Sequence, residues 1–290
     1  MARWSKLGII AGGGDLPARI ISACDARNDP WHLIKINGAA DDALASRAGE
    51  ECGIGEAGKI LRLLKENDCD AVVFAGNVRR PDFSSVKVDW RGAALLPKVI
   101  AAAARGDGHL LSVLVDTVEA EGLRVVGAED VFGDLLSQPG VLGSVTPNDE
   151  ARADIAKAAS LISALGPFDV GQASIVARGF VLAIEAAEGT DVMLERCAAP
   201  SLTAGREHVG VLVKRPKPDQ ELRIDLPVIG PETVRRAAAA KLAGIAVEAG
   251  KALIIDRDAL IAEANELGLF VYGFTAPELD TFGDGAQGAP

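Results

Sequence analysis

The alternation of two hydrophobic periods over residues 1–130 constrains the fold more than any other feature of this sequence. Short apolar runs such as Leu7–Ala11 and Ala71–Ala75 end in glycine, whereas stretches such as Pro17–Arg27 carry apolar residues at helical spacing. Runs of the first kind are typical of buried strands, and those of the second kind are typical of amphipathic helices. Strands that alternate with helices imply crossover connections, so we predict an α/β domain with a Rossmann-like parallel sheet.

The second half of the chain has a different pattern, in which a hairpin accompanies the crossovers. The apolar runs Gln172–Ala177 and Phe180–Glu185 flank the pair Arg178-Gly179, which predicts an antiparallel hairpin. Pro231–Gly250 is predicted to form one long helix, because Pro stands in its first turn and Gly at its end. The C-terminal part is therefore predicted to be an α/β domain with a mixed sheet.

Proline and glycine follow one another closely over residues 131–147, and the periodicity lapses there. We predict that this segment is an irregular junction between a domain over 1–130 and a substrate domain over 148–275. Residues 276–290 are predicted to be a disordered tail, because the end of the chain is rich in glycine and polar residues. The longest stretch without a charge, Leu135–Asn148, is shorter than the ~20 apolar residues that a spanning helix needs, so we expect a soluble protein.

Charge and composition exclude some classes of partner. The chain carries 41 acidic and 30 basic residues, a net charge of −11, and only 4% of its residues are aromatic. Nucleic acid is not an expected partner, because binding it requires a broad basic surface or stacking aromatic side chains. Cys24, Cys52, Cys69 and Cys197 share no CxxC spacing, which favours buried thiols in a reducing cytoplasm.

Two glycine-rich turns are the first candidates for a binding site. Gly12-Gly13-Gly14-Asp15 follows the first predicted strand, and Gly76-Asn77 follows the third. Glycines at a helix start allow backbone N–H groups to approach an anionic ligand, and the Asn77 amide could read the polar edge of a ligand. The predicted substrate-binding residues here are Gly13, Gly14, Asp15, Gly76 and Asn77. A tight turn without a ligand is the structural alternative.

The same region argues against a dinucleotide site. Pro17 stands where the third glycine of the dinucleotide fingerprint belongs, and the second strand ends in Asn37 rather than in an acidic residue that would hold a ribose. A nucleotide-related ligand is therefore favoured over NAD. Further along the chain, Arg79 or Arg80 could meet a phosphate, and Lys98 is also predicted to bind substrate.

The densest group of chemically useful residues lies in the second half. Gln172 opens the predicted hairpin, Glu185 closes it, and Thr190 and Asp191 begin the next helix, where capping is the structural alternative. The cations of residues 214–223 stand on a proline-punctuated chain just after a strand, where they could neutralise phosphate oxygens. The predicted substrate-binding residues here are Gln172, Thr190, Asp191, Lys214, Lys217 and Arg223.

Carboxylates of this group could hold a metal ion. Asp191 and Asp225, with Glu185 as a further candidate, supply oxygen ligands, and Mg²⁺ is bound by one or two carboxylates together with substrate oxygens and water. The three histidines are scattered along the chain, which disfavours a zinc site. We predict Mg²⁺, or Mn²⁺ in its place, at Asp191 and Asp225.

Six strings of residues, read in order from Leu7 to Gly273, resemble one enzyme family. The strings GGGDLP, GNVRRP, DVGQASIV, AIEAAEGTDVMLERC, VLVKRPKPDQELRIDLPVIGPETV and AGIAVEAGKALIID are similar to segments of the LpxI-type UDP-2,3-diacylglucosamine pyrophosphatases. That family belongs to lipid A biosynthesis in Gram-negative bacteria. Two strings depart from its pattern, since the usual KPxQD reads Lys217-Pro218-Asp219-Gln220-Glu221 and a GDD-like string reads Gly106-Asp107-Gly108.

The resemblance implies magnesium-dependent hydrolysis of the pyrophosphate of UDP-2,3-diacylglucosamine to UMP and 2,3-diacylglucosamine 1-phosphate. It implies two α/β domains with the substrate between them and the acyl chains in an apolar cavity of the second domain. Asp225 matches the position of the family's catalytic acid. The partners that follow are the lipid-nucleotide substrate and, by peripheral contact, the surface of the inner membrane on its cytoplasmic side. A homodimer is a further prediction.

Two other classes of function stay open on the sequence. An NAD(P)-dependent oxidoreductase would suit the strand–glycine–helix pattern, and the broken fingerprint counts against it. A non-catalytic carrier of a nucleotide-sugar or a lipid is the other alternative. The predicted long helix also offers apolar residues for an acyl pocket, with ordinary core packing as the alternative for each one: Val234, Leu242, Ile245 and Val247.

Overall fold

The computed structural model describes residues 4–40, 44, 46–78, 86–104, 106–132, 135–203, 205, 208–218 and 220–284. The chain divides into two units. The first unit comprises Met1–Gly133 and Glu221–Ile224, and the second comprises Asp134–Gln220 and Asp225–Pro290. The predicted domain boundaries at residues 130 and 148 stay predictions.

The first unit alternates strands and helices throughout. Its strands are β1 (Leu7–Ala11), β2 (Trp31–Ile36), β3 (Glu50–Cys52), β4 (Ala71–Ala75) and β5 (Arg124–Val126). Its helices are α1 (Leu16–Arg27), α2 (Ala57–Glu66), α3 (Trp90–Ala103), α4 (Asp107–Glu119) and α5 (Ala128–Phe132).

The first sheet is parallel, in the order β3-β2-β1-β4-β5. Every residue of β1 is buried, as expected for a central strand with helices on both faces. The chain moves from β1 to one side of the sheet and later returns to the other side with β4, so the strand order reverses between these two strands. Ligands of such sheets bind beyond the carboxyl ends of the strands at this switch point. The prediction of a Rossmann-like parallel sheet is confirmed.

The second unit contains more elements. Its strands are β6 (Gly140–Leu142), β7 (Ala173–Ala177), β8 (Phe180–Ile184), β9 (Val211–Lys214), β10 (Val228–Ile229), β11 (Gly244–Glu248), β12 (Leu253–Ile254) and β13 (Phe270–Phe274). Its helices are α6 (Asp149–Leu165), α7 (Gly189–Cys197), α8 (Pro200–Thr203), α9 (Pro231–Ala239), α10 (Arg257–Glu266) and α11 (Ala276–Asp284). A 3₁₀ turn, Gly166–Phe168, follows α6.

The second sheet is mixed, as predicted, in the order β6-β13-β11-β9-β7-β8. Strands β9, β11 and β13 are parallel, whereas β6 and the hairpin β7–β8 run antiparallel to their neighbours. The hairpin turn has positive φ at both Arg178 (51°) and Gly179 (75°), the backbone that a two-residue turn requires. A separate parallel pair joins β10 to β12.

Apolar side chains fill both faces of this sheet. Leu212, Ile245 and Val247 belong to the core on the face covered by α7, α9 and α10. Val213 and Ala246, their neighbours along the strands, belong to the core on the face covered by α6 and α11. Successive residues of a strand point to opposite faces, so the two cores alternate along each strand.

The prediction of one helix over Pro231–Gly250 is wrong. The helix α9 ends at Ala239, Lys241 adopts a left-handed φ of 54°, and the following residues form β11 in the middle of the sheet. A run buried on both faces has no strand period, so its sequence does not distinguish a buried strand from a helix. Gly244 allows the close packing of β11, because a Cβ there would stand 2.4 Å from the Phe270 ring.

The candidates for the acyl pocket belong to the core. Val234, Leu242, Ile245 and Val247 are fully buried in the cluster beneath α7, α9 and α10. Their contacts are with neighbouring core side chains, so the alternative reading of ordinary packing is correct for these residues.

Two expectations about irregular segments also need correction. The predicted junction over residues 131–147 contains β6, whose Leu142 pairs with Val271, because the edge of the sheet is completed there. The predicted tail begins with α11, which packs on α6 and is held by a 2.7 Å hydrogen bond from the Tyr272 hydroxyl to Glu278. The expectation of disorder is wrong for Ala276–Asp284, and residues 285–290 lie outside the described residues.

Over the described ranges, no helix combines the length and the apolar character needed to cross a membrane. All four cysteines are buried free thiols, as the sequence predicts. Burial raises the pKa of the Cys24 and Cys69 thiols to about 11, so both are protonated at neutral pH.

Candidate active site

The two glycine-rich turns of the first unit meet at the switch point of its sheet. The Gly13 N–H donates to the Asn77 carbonyl at 2.9 Å, and the Asn77 N–H donates to the Gly13 carbonyl at 2.8 Å. Gly76 has a φ of 85°, and a Cβ there would stand 2.3 Å from the Gly13 oxygen. Only glycine fits this position. The structure thus brings Gly13, Gly76 and Asn77 together, and their backbone groups bind one another.

Gly14, Asp15, Gly76 and Asn77 are exposed at this switch point, whereas Gly12 and Gly13 are buried. Asp15 precedes α1, and its side chain makes no capping hydrogen bond there. Lys98 is an exposed residue of α3, a helix that packs against α2 and α4. Arg79 and Arg80 lie outside the described residues. Nucleotide binding by Gly13, Gly14, Asp15, Gly76 and Asn77 stays a prediction, as does the role of Lys98.

A second group of polar side chains lies at one edge of the sheet of the second unit. Ala173 pairs with Lys214, and Ser174 pairs with Ile184, so the start of β7, the end of β8 and the end of β9 share this edge. Gln172 and Glu185 adjoin these strand ends. The pairing explains how residues far apart in sequence come together.

Lys214 is the buried centre of this group. Only 5% of the residue is exposed, and its Nζ donates to the Val228 carbonyl at 3.0 Å. Burial lowers the pKa of the Lys214 ammonium, while the carboxylates of Glu185, Asp191 and Asp225 act in the opposite direction. A buried cation requires compensating negative charge, and these three acidic residues supply it.

The Glu185 carboxylate is held at both oxygens. Its Oε2 accepts the Gln172 N–H at 2.9 Å, and its Oε1 accepts the Thr190 hydroxyl at 2.8 Å. The Thr190 hydroxyl therefore binds Glu185, and no side chain caps α7 at its N-cap residue, Glu188. Asp191 is exposed and lies 3.7 Å from Arg236 Nε. Helix capping therefore does not account for Thr190 and Asp191.

The loop after β9 carries Asp225 beside the buried amide of Gln220. Gln220 Nε2 lies 2.6 Å from Asp225 Oδ2, 3.1 Å from Gln172 Oε1, and within hydrogen-bond distance of the Asp225 carbonyl. Gln220 Oε1 accepts the Lys217 N–H at 2.8 Å. These bonds join Asp225 to the same sheet edge as Gln172 and Lys214.

The cations of residues 214–223 do not act as one cluster. Lys214 and Arg215 point to opposite faces of the sheet, because successive residues at a strand end alternate. Arg215 forms a 2.9 Å ion pair with Glu248, which is buried at the end of β11. Of these two neighbouring cations, Lys214 therefore lies beside the acidic residues of this edge and Arg215 does not.

The two other predicted cations are ion-paired. The Lys217 ammonium binds the carboxylate of Asp169. Arg223 belongs to the first unit, where it makes two hydrogen bonds of 2.8 Å to Glu221 and one of 2.7 Å to Glu119. Phosphate binding by Lys217 or Arg223 would require competition with these carboxylates, and it stays a prediction.

The fit of a metal ion rests on two carboxylates. Among the residues that the structure describes, no group of three or more His, Cys, Asp or Glu side chains is placed to hold a metal. Burial lowers the pKa of the Lys214 ammonium, and the charges of Asp191 and Asp225 both oppose that lowering. Two carboxylates suit Mg²⁺, which keeps several water or substrate oxygens as ligands. Asp191 also lies 3.7 Å from the Arg236 guanidinium, and the binding of Mg²⁺ by Asp191 and Asp225 stays a prediction.

Comparison with known proteins covers both units. The family described as LpxI N-terminal domain matches residues 6–135, and the one described as LpxI C-terminal domain matches residues 138–272. The chain belongs to the LpxI family. It is 48% identical over 276 residues to the UDP-2,3-diacylglucosamine pyrophosphatase LpxI of Caulobacter vibrioides. That alignment covers 94% of this chain and 99% of the relative.

Within this LpxI-family chain, the C-terminal match contains the whole acidic edge around Lys214, and the N-terminal match contains the glycine turns. Sequence reasoning omitted one residue of that edge, Gln220, from the predicted site. Its signal was the string Lys217-Pro218-Asp219-Gln220-Glu221, in which a glutamine stands near a proline-rich basic segment. Asp219 lies outside the described residues.

Proposed function

We propose that this protein hydrolyses the pyrophosphate bond of UDP-2,3-diacylglucosamine, giving UMP and 2,3-diacylglucosamine 1-phosphate. The observation that carries the proposal is the acidic edge around the buried Lys214, in a chain that is 48% identical to a pyrophosphatase across nearly its full length. Hydrolysis of a phosphoric anhydride depends mainly on positioning and on neutralising phosphate charge. An edge that combines an ammonium with carboxylates suits both requirements.

In the proposed reaction a water oxygen forms a bond to one phosphorus, and the bridging P–O bond breaks. The Asp225 carboxylate takes up the proton that the attacking water loses. The Lys214 ammonium offsets negative charge on the phosphate oxygens beside it, with Gln172 and Thr190 lining the same edge. Asp191 and Asp225 would hold Mg²⁺ or Mn²⁺, which supplies additional charge neutralisation at the pyrophosphate.

The diacylated substrate also places the protein at a lipid surface. We include in the proposal peripheral contact with the inner membrane from the cytoplasm, because the acyl chains partition into a bilayer. Retention of the protein on vesicles that contain the substrate, and its release from vesicles without it, would support this contact. A homodimer stays a prediction that sedimentation would test.

Release of UMP from UDP-2,3-diacylglucosamine in the presence of Mg²⁺ is the decisive experiment. We expect many turnovers for each protein molecule, whereas a non-catalytic carrier would release no UMP. Absence of UMP at any metal concentration would contradict the proposed hydrolysis. Binding of NADH would instead favour the oxidoreductase alternative.

Chelation tests the metal separately from the reaction. We expect EDTA to stop UMP release and either Mg²⁺ or Mn²⁺ to restore it, since the available ligands are oxygens. Full activity after exhaustive chelation would remove the metal from the mechanism. Hydrolysis itself would then rest on Lys214 and the acidic residues.

A further inference from the structure

Gln220 is a buried amide in a loop, and each of its polar atoms is used. The residue is 9% exposed although it lies outside every helix and strand. Its Oε1 accepts the Lys217 N–H, and its Nε2 reaches Gln172 Oε1 and two oxygens of Asp225. Burial of an amide is unfavourable unless its hydrogen bonds are made. Here two of the four contacts lead to Asp225.

The course of the chain explains why these bonds matter. Glu221–Ile224, between Gln220 and Asp225, is assigned to the first unit, whereas both flanking residues belong to the second. The covalent connection between Gln220 and Asp225 therefore passes through residues that are not part of the second unit. The Gln220 side chain links the two residues that flank this segment, because its amide hydrogen-bonds directly to Asp225.

We propose that Gln220 is a positioning residue that orients the Asp225 carboxylate for catalysis. The inference rests on the proposed function, in which Asp225 acts at the reacting centre. The amide N–H donates to Oδ2 at 2.6 Å, and this bond restricts the orientation of the carboxylate and hence the direction of its other oxygen, Oδ1. The bond to Gln172 Oε1 ties the same amide to the start of β7.

The side chain must be an amide of this length. Glutamate at position 220 would replace the N–H donor with an oxygen facing the Asp225 carboxylate, which is repulsive. Alanine would remove the donor and with it this constraint on the Asp225 carboxylate. Partners that orient a residue at a reacting centre typically contribute about 10- to 100-fold in activity.

Steady-state kinetics of UMP release by Gln220→Ala and Gln220→Glu tests the proposal. We expect kcat to fall about 10- to 100-fold while KM stays near its wild-type value, because substrate contacts elsewhere are intact. Gln220→Glu keeps the size of the side chain, so it provides the test if Gln220→Ala does not fold. Gln138→Ala is the matched control, since that exposed amide donates only to the Leu136 carbonyl in the described structure, and its kcat should not change.

A double-mutant cycle separates positioning from a structural role. If Gln220 acts through Asp225, then Gln220→Ala in an Asp225→Ala background should leave the residual rate unchanged. The inference would be overturned by a wild-type kcat in both Gln220→Ala and Gln220→Glu. It would also be overturned if Gln220→Ala lowered kcat by the same factor with and without the Asp225 carboxylate. A wild-type protein that releases no UMP would contradict the proposed function instead, so the two failures are distinguishable.

Discussion

At the scale of single residues, the acidic edge shows how a buried ammonium organises its surroundings. Lys214 donates to one backbone carbonyl, and three carboxylates offset its charge. Removal of one charge from such a buried group leaves the opposite charge without compensation. The resulting loss of unfolding free energy exceeds the net stabilisation that the complete group provides. The chemistry of the edge therefore depends on its members together.

Asp225→Ala should reduce turnover to a small residual rate and preserve the fold. Asp225 is half-buried and lies outside both core clusters of the second unit, so its loss removes no apolar packing, and Glu185 and Asp191 remain to offset the Lys214 charge. We expect kcat for UMP release to fall by ~10²–10⁴, the usual scale for a group that transfers a proton. Circular dichroism should report an unchanged fold, and the exposed Asp116→Ala serves as a control with normal kcat. Near-normal turnover of Asp225→Ala would remove this residue from the mechanism.

At the scale of elements, the ends of β1 and β4 are tied by backbone hydrogen bonds rather than by side chains. Gly13 and Asn77 exchange two N–H···O bonds beyond the last ladder pairs of these strands. The bridge consumes donors that a glycine-rich turn would otherwise present to an anion. Binding at this switch point would therefore use exposed groups of Gly14, Asp15, Gly76 and Asn77 that lie outside this bridge.

Gly76→Ala should destabilise the first unit more than Gly38→Ala does. Both glycines have a positive φ, 85° and 75°, so a Cβ at either position costs about 1–2 kcal/mol. A Cβ at Gly76 would also stand 2.3 Å from the Gly13 oxygen, whereas a Cβ at Gly38 meets nothing within 4 Å. Urea unfolding should show the larger loss of unfolding free energy for Gly76→Ala. Equal losses would show that the Gly76 contact can relax.

At the scale of the whole molecule, the chain passes once more into the first unit after leaving it. Glu221–Ile224 is this return segment, and the Arg223 guanidinium binds both Glu221 and Glu119 within the first unit. The hydrogen bonds from Arg223 lower the pKa of the Glu221 carboxyl below its ordinary value of 4.5. The stability of the segment is therefore linked to pH.

Glu221→Gln should lower stability in a pH-dependent manner. Because folding depresses the pKa of Glu221, its ionised form contributes stability above about pH 4.5, and that contribution is lost as the pH falls through the depressed pKa. We expect a deficit of up to about 1 kcal/mol at pH 7, the range of partly exposed ion pairs, that shrinks toward pH 3. Denaturant unfolding across this range measures it, with the exposed Glu66→Gln as a control. A deficit independent of pH would contradict the linkage.

The lipid end of the proposed substrate should dominate its affinity. Each buried CH₂ contributes ~0.8 kcal/mol, so several methylenes of two acyl chains outweigh a few partly solvated hydrogen bonds. We expect 2,3-diacylglucosamine 1-phosphate to compete with substrate far better than UDP does. If UDP or UDP-N-acetylglucosamine bound as tightly as the diacylated product, the acyl chains would not be the anchor. Val234 and the other core residues named above do not form their pocket.

Local rules in the sequence determine much of this protein. The strand–glycine–helix alternation predicts the parallel sheet. Two apolar runs flanking Arg178-Gly179 predict the hairpin, and glycine readily adopts the positive φ found at Gly179. Polar residues at predicted strand ends also identify Gln172 and Lys214 as candidates for one site, and Asp225 follows them in a proline-punctuated segment that resembles the family's. These signals are local in the chain, and backbone geometry is enough to interpret them.

Tertiary structure alone decided which of these side chains meet. Gly244–Glu248 is a central strand because neighbours on both faces bury it, and a run buried on every side has no period that a sequence could reveal. Lys214 and Arg215 are adjacent in sequence, yet their side chains lie on opposite faces of the sheet. Gln220 contacts Asp225 although the four residues between them belong to the first unit. Such contacts depend on strand order and register, which long-range packing sets.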